Sequence, residues 1–219
     1  MNKSAFLLGL AGAVIALPAL AQETRTYELP SFENIDISAG IRLVATSGDA
    51  QSIVVETDEG DFNDLQIKVK DNTLIITREW NRLRWHGKKV DYKVVVSAPR
   101  IDALDASSGS NSTLEKIDSR RFSLDLSSGS FVKVNGRSAD CTVDISSGAN
   151  LNGREFICDT ANVDVSSGGH GELSVLKILI GDASSGGHMA IYGSPERVNI
   201  DRSSGGRIKV KAQATAKRD

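Results

Sequence analysis

The chain has 219 residues, with 26 Lys and Arg against 28 Asp and Glu, 40% hydrophobic residues and 5% aromatic ones. A formal charge of −2 excludes the strongly basic surface of a general nucleic-acid-binding protein, and the length is enough to bury a core within one domain.

The first 21 residues read as a secretory signal. Lys3 gives a short positive start, Ala5 to Leu17 is apolar, and Ala19-Leu20-Ala21 has the small-x-small ending that predicts cleavage after Ala21. The apolar run is too short for a spanning helix, and no later stretch is apolar enough for one. Loss of Lys3 from the 26 basic residues leaves 25 against 28 acids, so the mature protein is expected to be mildly acidic, without a transmembrane anchor, and periplasmic or secreted.

Residues 22–100 are expected to form an irregular β region. "SIVVET", "LQIKVK", "NTLIIT" and "VDYKVVVSAP" are strand-like, and "SGDAQ", "DEGDFND" and "KDN" between them read as turns. "IDISAGIRLV", at residues 35 to 44, is a degenerate copy of a phrase that recurs later, with Asp36, Ser38 and Gly40 in matching places. Such an opening layer suits the atypical terminal unit of a stacked protein. Within it, residues 78–89 gather Arg78, Arg82, Arg84, His86, Lys88 and Lys89 around Trp80 and Trp85, both tryptophans of the chain. As an exposed hairpin, Trp80, Arg82, Arg84, Trp85, His86, Lys88 and Lys89 form a candidate binding surface for sugar rings, anionic glycans or lipid headgroups. The plainer alternative is a hairpin whose tryptophans cover one end of the core.

From residue 101 to 211 one phrase governs the chain. "DxSSG" occurs six times, at Asp105, Asp125, Asp144, Asp164, Asp182 and Asp201, with spacings of 20, 19, 20, 18 and 19 residues. The residues on either side of each aspartate are mostly apolar, as in Leu124 and Leu126 or Val163 and Val165, so they point inward and the aspartate outward. Nine positions after the aspartate comes a second inward column, Leu114, Val134, Gly153, Leu173, Ile191 and Val210. Units of this length have no room for a helix and cannot bury their own inner face. They must stack, and the expected fold is an all-β parallel β-helix with one coil per repeat, rising about 4.8 Å each time.

The repeated phrase is a turn instruction. Asp and Ser side chains accept backbone hydrogen bonds, and the glycine is expected to take positive φ at the corner. Six stacked like charges need N–H groups, hydroxyls or cations to offset them, which keeps a cation-binding ladder as the alternative. Calcium-binding β-rolls use a nine-residue glycine–aspartate repeat, absent from this chain.

Two further pairs stand out. Cys141 and Cys158 are 17 positions apart, three before Asp144 and six before Asp164. In an oxidising compartment this spacing permits one disulfide without requiring it. His170 and His188 each fall six residues after their aspartate in adjacent repeats, with Arg207 equivalent in the next. They form a weak metal candidate, because their neighbours supply no third ligand. No cofactor motif is present and no cofactor is expected. Residues 212–219 form a basic tail that can guard an exposed strand edge.

The succession "FENIDISAGIRLVATSGDAQSIVVETDEG", "LQIKVKDNTLIITR" and "VDYKVVVSAPRIDALDASSGS", followed by serine-glycine coils, resembles the auto-transporter adhesin head GIN domain family across roughly residues 32 to 210. The resemblance implies a β-helical exported domain and supplies no catalytic residues. The leading reading is therefore a non-enzymatic, adhesion-type module of the cell envelope that offers a regular flank to a polysaccharide, an envelope component or another protein. The alternatives are a carbohydrate-active enzyme, which needs converging carboxylates rather than an evenly spread ladder, and a purely structural envelope protein.

Overall fold

The computed structural model describes residues 23–58, 62–79 and 90–211. Among them the chain forms one 15-stranded sheet system with no helix, so none of those residues lies in a helix long and apolar enough to cross a membrane.

The repeat region is built from long strands in which buried and exposed residues alternate: β9 (Asn111–Leu126), β10 (Phe131–Ile145), β11 (Asn150–Val165) and β12 (His170–Ala183). Each pairs in parallel with the next along most of its length. The Ser-Gly phrase and the second inward column nine residues on suggest separate strands on the two sides of each corner. The structure instead runs the chain through each coil as one bent strand, and the bends fall where the alternation slips. At one bend Lys116 has φ 55° and donates its backbone N–H to Asn135 Oδ1 at 2.9 Å. The facing Gly136 has φ 126°, and a Cβ there would lie 2.1 Å from the Ile117 carbonyl oxygen, so this close approach of two coils admits only glycine.

The aspartates stack in register. Asp36 of β2 (Asn34–Ile37) pairs with Asp105 of β8 (Ala103–Ala106), and Asp125, Asp144, Asp164 and Asp182 follow up the coils to Asp201 of β14 (Arg197–Arg202). Beside them the corner is tighter than expected. Both the second serine and the glycine are left-handed, Ser108 at φ 52° and Gly109 at φ 69°, and the pattern recurs at each later corner. The Ser110 N–H donates to the Ser107 carbonyl at 3.1 Å, which makes the corner a type I′ turn. The Gly109 N–H donates to the Ser128 carbonyl of the next coil at 3.0 Å, so the turns themselves form a hydrogen-bonded ladder. The backbone, rather than the aspartate side chain, satisfies the corner.

The core is the continuous interior of this stack. Leu104, Leu124, Val143 and Val163 lie in one buried file and Ala106, Leu126, Ile145 and Val165 in another. Phe122 and Phe156 meet edge to face at 5.2 Å. Beside them Cys141 and Cys158 form a disulfide with a Cα–Cα distance of 6.0 Å. The two cysteines are not register partners: Cys141 faces Phe122 and Ala161, whereas Cys158 faces Ser138. Their unequal offsets from the aspartates are bridged because the strands bend between residues 138 and 141.

At the N-terminal end chain order and stacking order differ. The rung made of β2 and β3 (Arg42–Ser47) lies between β8–β9 on one side and β6 (Thr73–Arg78) with β7 (Tyr92–Ala98) on the other. Antiparallel strands then finish the stack: β4 (Ser52–Thr57) on β7, β1 (Glu23–Thr26) on β4, and β5 (Leu65–Lys70) on β6. At the other end, β13 (His188–Tyr192) carries β15 (Arg207–Lys211), and β12 carries β14. Val210, expected in the inward column, is 41% exposed, and Val198 is 48% exposed. Among the described residues no further coil lies over β14 or β15, which leaves Val198 and Val210 uncovered, while Ile208 stays buried.

Candidate functional site

After each Ser-Gly corner the strand sends residues outward at six, eight and ten positions beyond the ladder aspartate. Parallel register turns these positions into columns. The first runs Asn111, Phe131, Asn150, His170, His188, Arg207, and the second runs Thr113, Lys133, Asn152, Glu172, Ala190, Lys209. Over β10 to β15 these columns enclose a groove of about 500 Å³, with Phe131 and the Asn150 and Asn152 amides toward one end and Arg207, Lys209 and Lys211 toward the other. Ala190, set between Glu172 and Lys209 in register, leaves open space where its column neighbours project.

The side chains along this groove are held in place. His170 and His188 stack with ring centroids 5.3 Å apart and planes 17° apart. Tyr192 donates its hydroxyl to Glu172 Oε1 at 3.3 Å and accepts from Lys211 Nζ at 3.3 Å. The Arg154 guanidinium lies 4.4 Å from the same ring's centroid and Lys211 Nζ 5.1 Å from it, so two cations approach one aromatic ring. Among the described residues Arg207 and Lys209 have no acidic partner, and no group of three His, Cys, Asp or Glu side chains converges as a metal site. The imidazole pair therefore lacks the further ligands that a structural zinc site needs.

The aspartate ladder lies on a separate face, before the corner. Burial pushes the Asp36 carboxyl above its usual range. Burial does the same at Asp105, with the charges of Asp36 and Asp125 adding to it, and at Asp144, with those of Asp125 and Asp164. Neither described histidine lies on this face.

The candidate hairpin residues Trp80, Arg82, Arg84, Trp85, His86, Lys88 and Lys89 lie outside the described residues. Just before them, Arg78 donates to the Ala39 carbonyl at 3.2 Å, to Asp64 Oδ2 at 3.2 Å and to the Val90 carbonyl at 2.5 Å. Of the groove, the sixth position after each aspartate picks out His170, His188 and their equivalent Arg207. Counting eight and ten residues past each aspartate, as well as six, brings Glu172, Lys209, Arg154, Tyr192 and Lys211 into the same set.

In fold the chain is similar to a "putative adhesin" from Bacteroides fragilis, with 16% identity, 89% of this chain and 99% of that chain covered, and a TM-score of 0.64. It is also similar to a "putative lipid binding protein" from Parabacteroides distasonis, with 14% identity, 87% and 96% covered, and a TM-score of 0.52. Among curated proteins it has no significant match. The family model described as "Putative auto-transporter adhesin, head GIN domain" matches residues 31–195, the span from the β2 rung to the groove strands, and to that family the chain belongs.

Proposed function

We propose that the protein is an exported, non-enzymatic binding module of the cell envelope, periplasmic or secreted after loss of residues 1–21, that presents its groove-bearing flank to a glycan, an envelope component or another protein. In this reading residues 22–100 cap a repeat solenoid spanning 101–211, and 212–219 form a basic tail. The observation that carries it is the groove itself: amides, imidazoles and cations follow one another across successive coils, with Arg207 and Lys209 on β15 uncompensated among the described residues. The family to which the chain belongs has an adhesin description, and one structural neighbour is described as lipid-binding, which supports a binding role. The enzyme alternative needs a pair of carboxylates flanking a cleft. The ladder carboxylates instead run in a single file, one in each coil.

The test is a screen of the mature protein against glycans and envelope fractions. An Arg207→Ala, Lys209→Ala variant and a Trp80→Ala, Trp85→Ala variant are assayed beside it. Weakened binding in the first variant is expected. Loss in the tryptophan variant alone moves the site to residues 80–89, and release of cleaved sugar products overturns the non-enzymatic reading.

A further inference from the structure

Resting on that reading, we infer that the groove takes a linear anionic polysaccharide laid along the stack of coils, with an acid-bearing unit at the β15 end on Arg207, Lys209 and Lys211 and its hydroxyls toward Asn150, Asn152 and the histidines.

Three observations converge on this ligand class. The groove is made of columns, so equivalent positions recur at every coil, about 4.8 Å apart. An extended chain can span these rungs, from the amides at one end to the cations gathered on β15 at the other, whereas a compact metabolite would use one rung. The charge is also one-sided. Arg207 and Lys209 have no acidic partner among the described residues, Lys211 leans on the Tyr192 ring, and the groove's one carboxylate, Glu172, is already engaged by the Tyr192 hydroxyl. Uncompensated cations gathered on one rung attract acid groups.

The remaining lining matches sugar rather than lipid. Asn150 and Asn152 each offer two N–H donors and a carbonyl acceptor. The imidazoles stack on one another, which occupies one face of each ring and leaves their nitrogens as further polar groups of the lining. Phe131, 39% exposed at the amide end, supplies one apolar surface for sugar C–H groups. An anionic membrane would call for a row of insertable apolar side chains beside the cations. Here amides, imidazoles and a carboxylate occupy those places.

The experiment measures binding of the mature chain to dextran sulfate, polygalacturonate, neutral dextran, and vesicles of phosphatidylglycerol with phosphatidylcholine, at low and high salt. Dextran sulfate and polygalacturonate are expected to bind and to weaken as salt rises, with neutral dextran weaker by about tenfold or more. An Arg207→Glu, Lys209→Glu variant should lose about tenfold or more for both polyanions with its melting temperature unchanged. Arg120→Glu, an exposed change elsewhere on β9, should lose much less. Equal binding of neutral dextran overturns the anionic class and leaves the binding module standing. Binding to vesicles without either polyanion overturns the polysaccharide in favour of a membrane. Polyanion binding untouched by the charge reversal overturns the groove as the site. Silence toward all four probes overturns the inference, and it overturns the module as well only if the broader envelope screen is also blank.

Discussion

Asp36 pairs in register with Asp105, although 68 residues of chain separate them. The contact makes "DISAG" a seventh rung of the aspartate ladder, with Ala39 at φ 63° and Gly40 at φ 68° repeating the left-handed pair of the later corners. It also extends the column of like charges to the first parallel coil that bears an aspartate, since the next rung outward places Ile75 there.

Because burial and neighbouring charges raise the Asp105 and Asp144 carboxyls, the folded protein holds their protons more tightly than the unfolded chain does. The sign follows. Their stabilising contribution is present below the usual carboxylate value of 3.8 and is lost as pH rises through the folded-state values, so at neutral pH each destabilises the fold. Asp105→Asn or Asp144→Asn should therefore stabilise the fold at pH 7, by on the order of 0.5 kcal/mol for each like-charged neighbour relieved, read as a raised melting temperature. The gain should shrink toward pH 4 and in high salt. A fall in melting temperature at pH 7 would show that the ladder is held by bound cations, which calcium chelation would then test.

The corner makes a separate prediction. Gly129 has φ 70° with nothing within 4 Å of an added Cβ, so Gly129→Ala tests backbone strain without a clash. It should cost about 1 kcal/mol, read as a lowered urea midpoint with an unchanged m value. Ser128, at φ 50°, precedes it in the same turn. Asparagine tolerates that region better than serine, so Ser128→Asn should stabilise by a few tenths of a kcal/mol and Ser128→Val should destabilise.

Legibility in the sequence followed the physics of repetition. Asp125, Asp144 and Asp164 announced the stack because a period near 20 is hard to reconcile with anything but coils, and their neighbours Leu124, Val143 and Val163 announced which side faces in. The β6–β7 rung escaped notice because Ile75 replaces the aspartate and no Ser-Gly corner follows Thr77-Arg78. Its place outside β2–β3 is a long-range pairing that local pattern cannot encode. The groove was half visible, since His170 and His188 repeat at one offset. Tyr192, Lys211 and Arg154 meet only once the four strands β11, β12, β13 and β15 are in register, and each is an ordinary surface residue in its own coil.

The disulfide closes a loop of 17 residues within the stack, and Cys158 is fully buried. A loop of that length limits the unfolded chain enough to contribute about 3 kcal/mol. Cys141→Ala with Cys158→Ala should lower the melting temperature by several degrees. Reductant should have little effect on the native protein and a large one on refolding, since the bond becomes accessible only when the coils separate. Rapid reduction of the native state, followed by free-thiol labelling, would contradict that burial.

Arg78 is the point where the aspartate-bearing sheet meets the antiparallel end of the stack. Its side chain, 11% exposed, reaches Asp64, the Ala39 and Val90 carbonyls and the face of Tyr92, with 4.5 Å from the guanidinium carbon to the ring centroid. Tyr92, fully buried, donates its hydroxyl to the other Asp64 oxygen at 2.5 Å. Asp64 is thus held from two sides, and removing Arg78 leaves a largely buried carboxylate with one fewer cation. Arg78→Met should cost about 2–3 kcal/mol, below the range for a fully buried pair because Asp64 is 21% exposed. Tyr92→Phe should cost about 1 kcal/mol. Because both act on one carboxylate, the double variant should depart from additivity by about 0.5 kcal/mol or more in chemical unfolding. Additive losses would mean that Arg78 acts through the two carbonyls alone, with Asp64 a bystander.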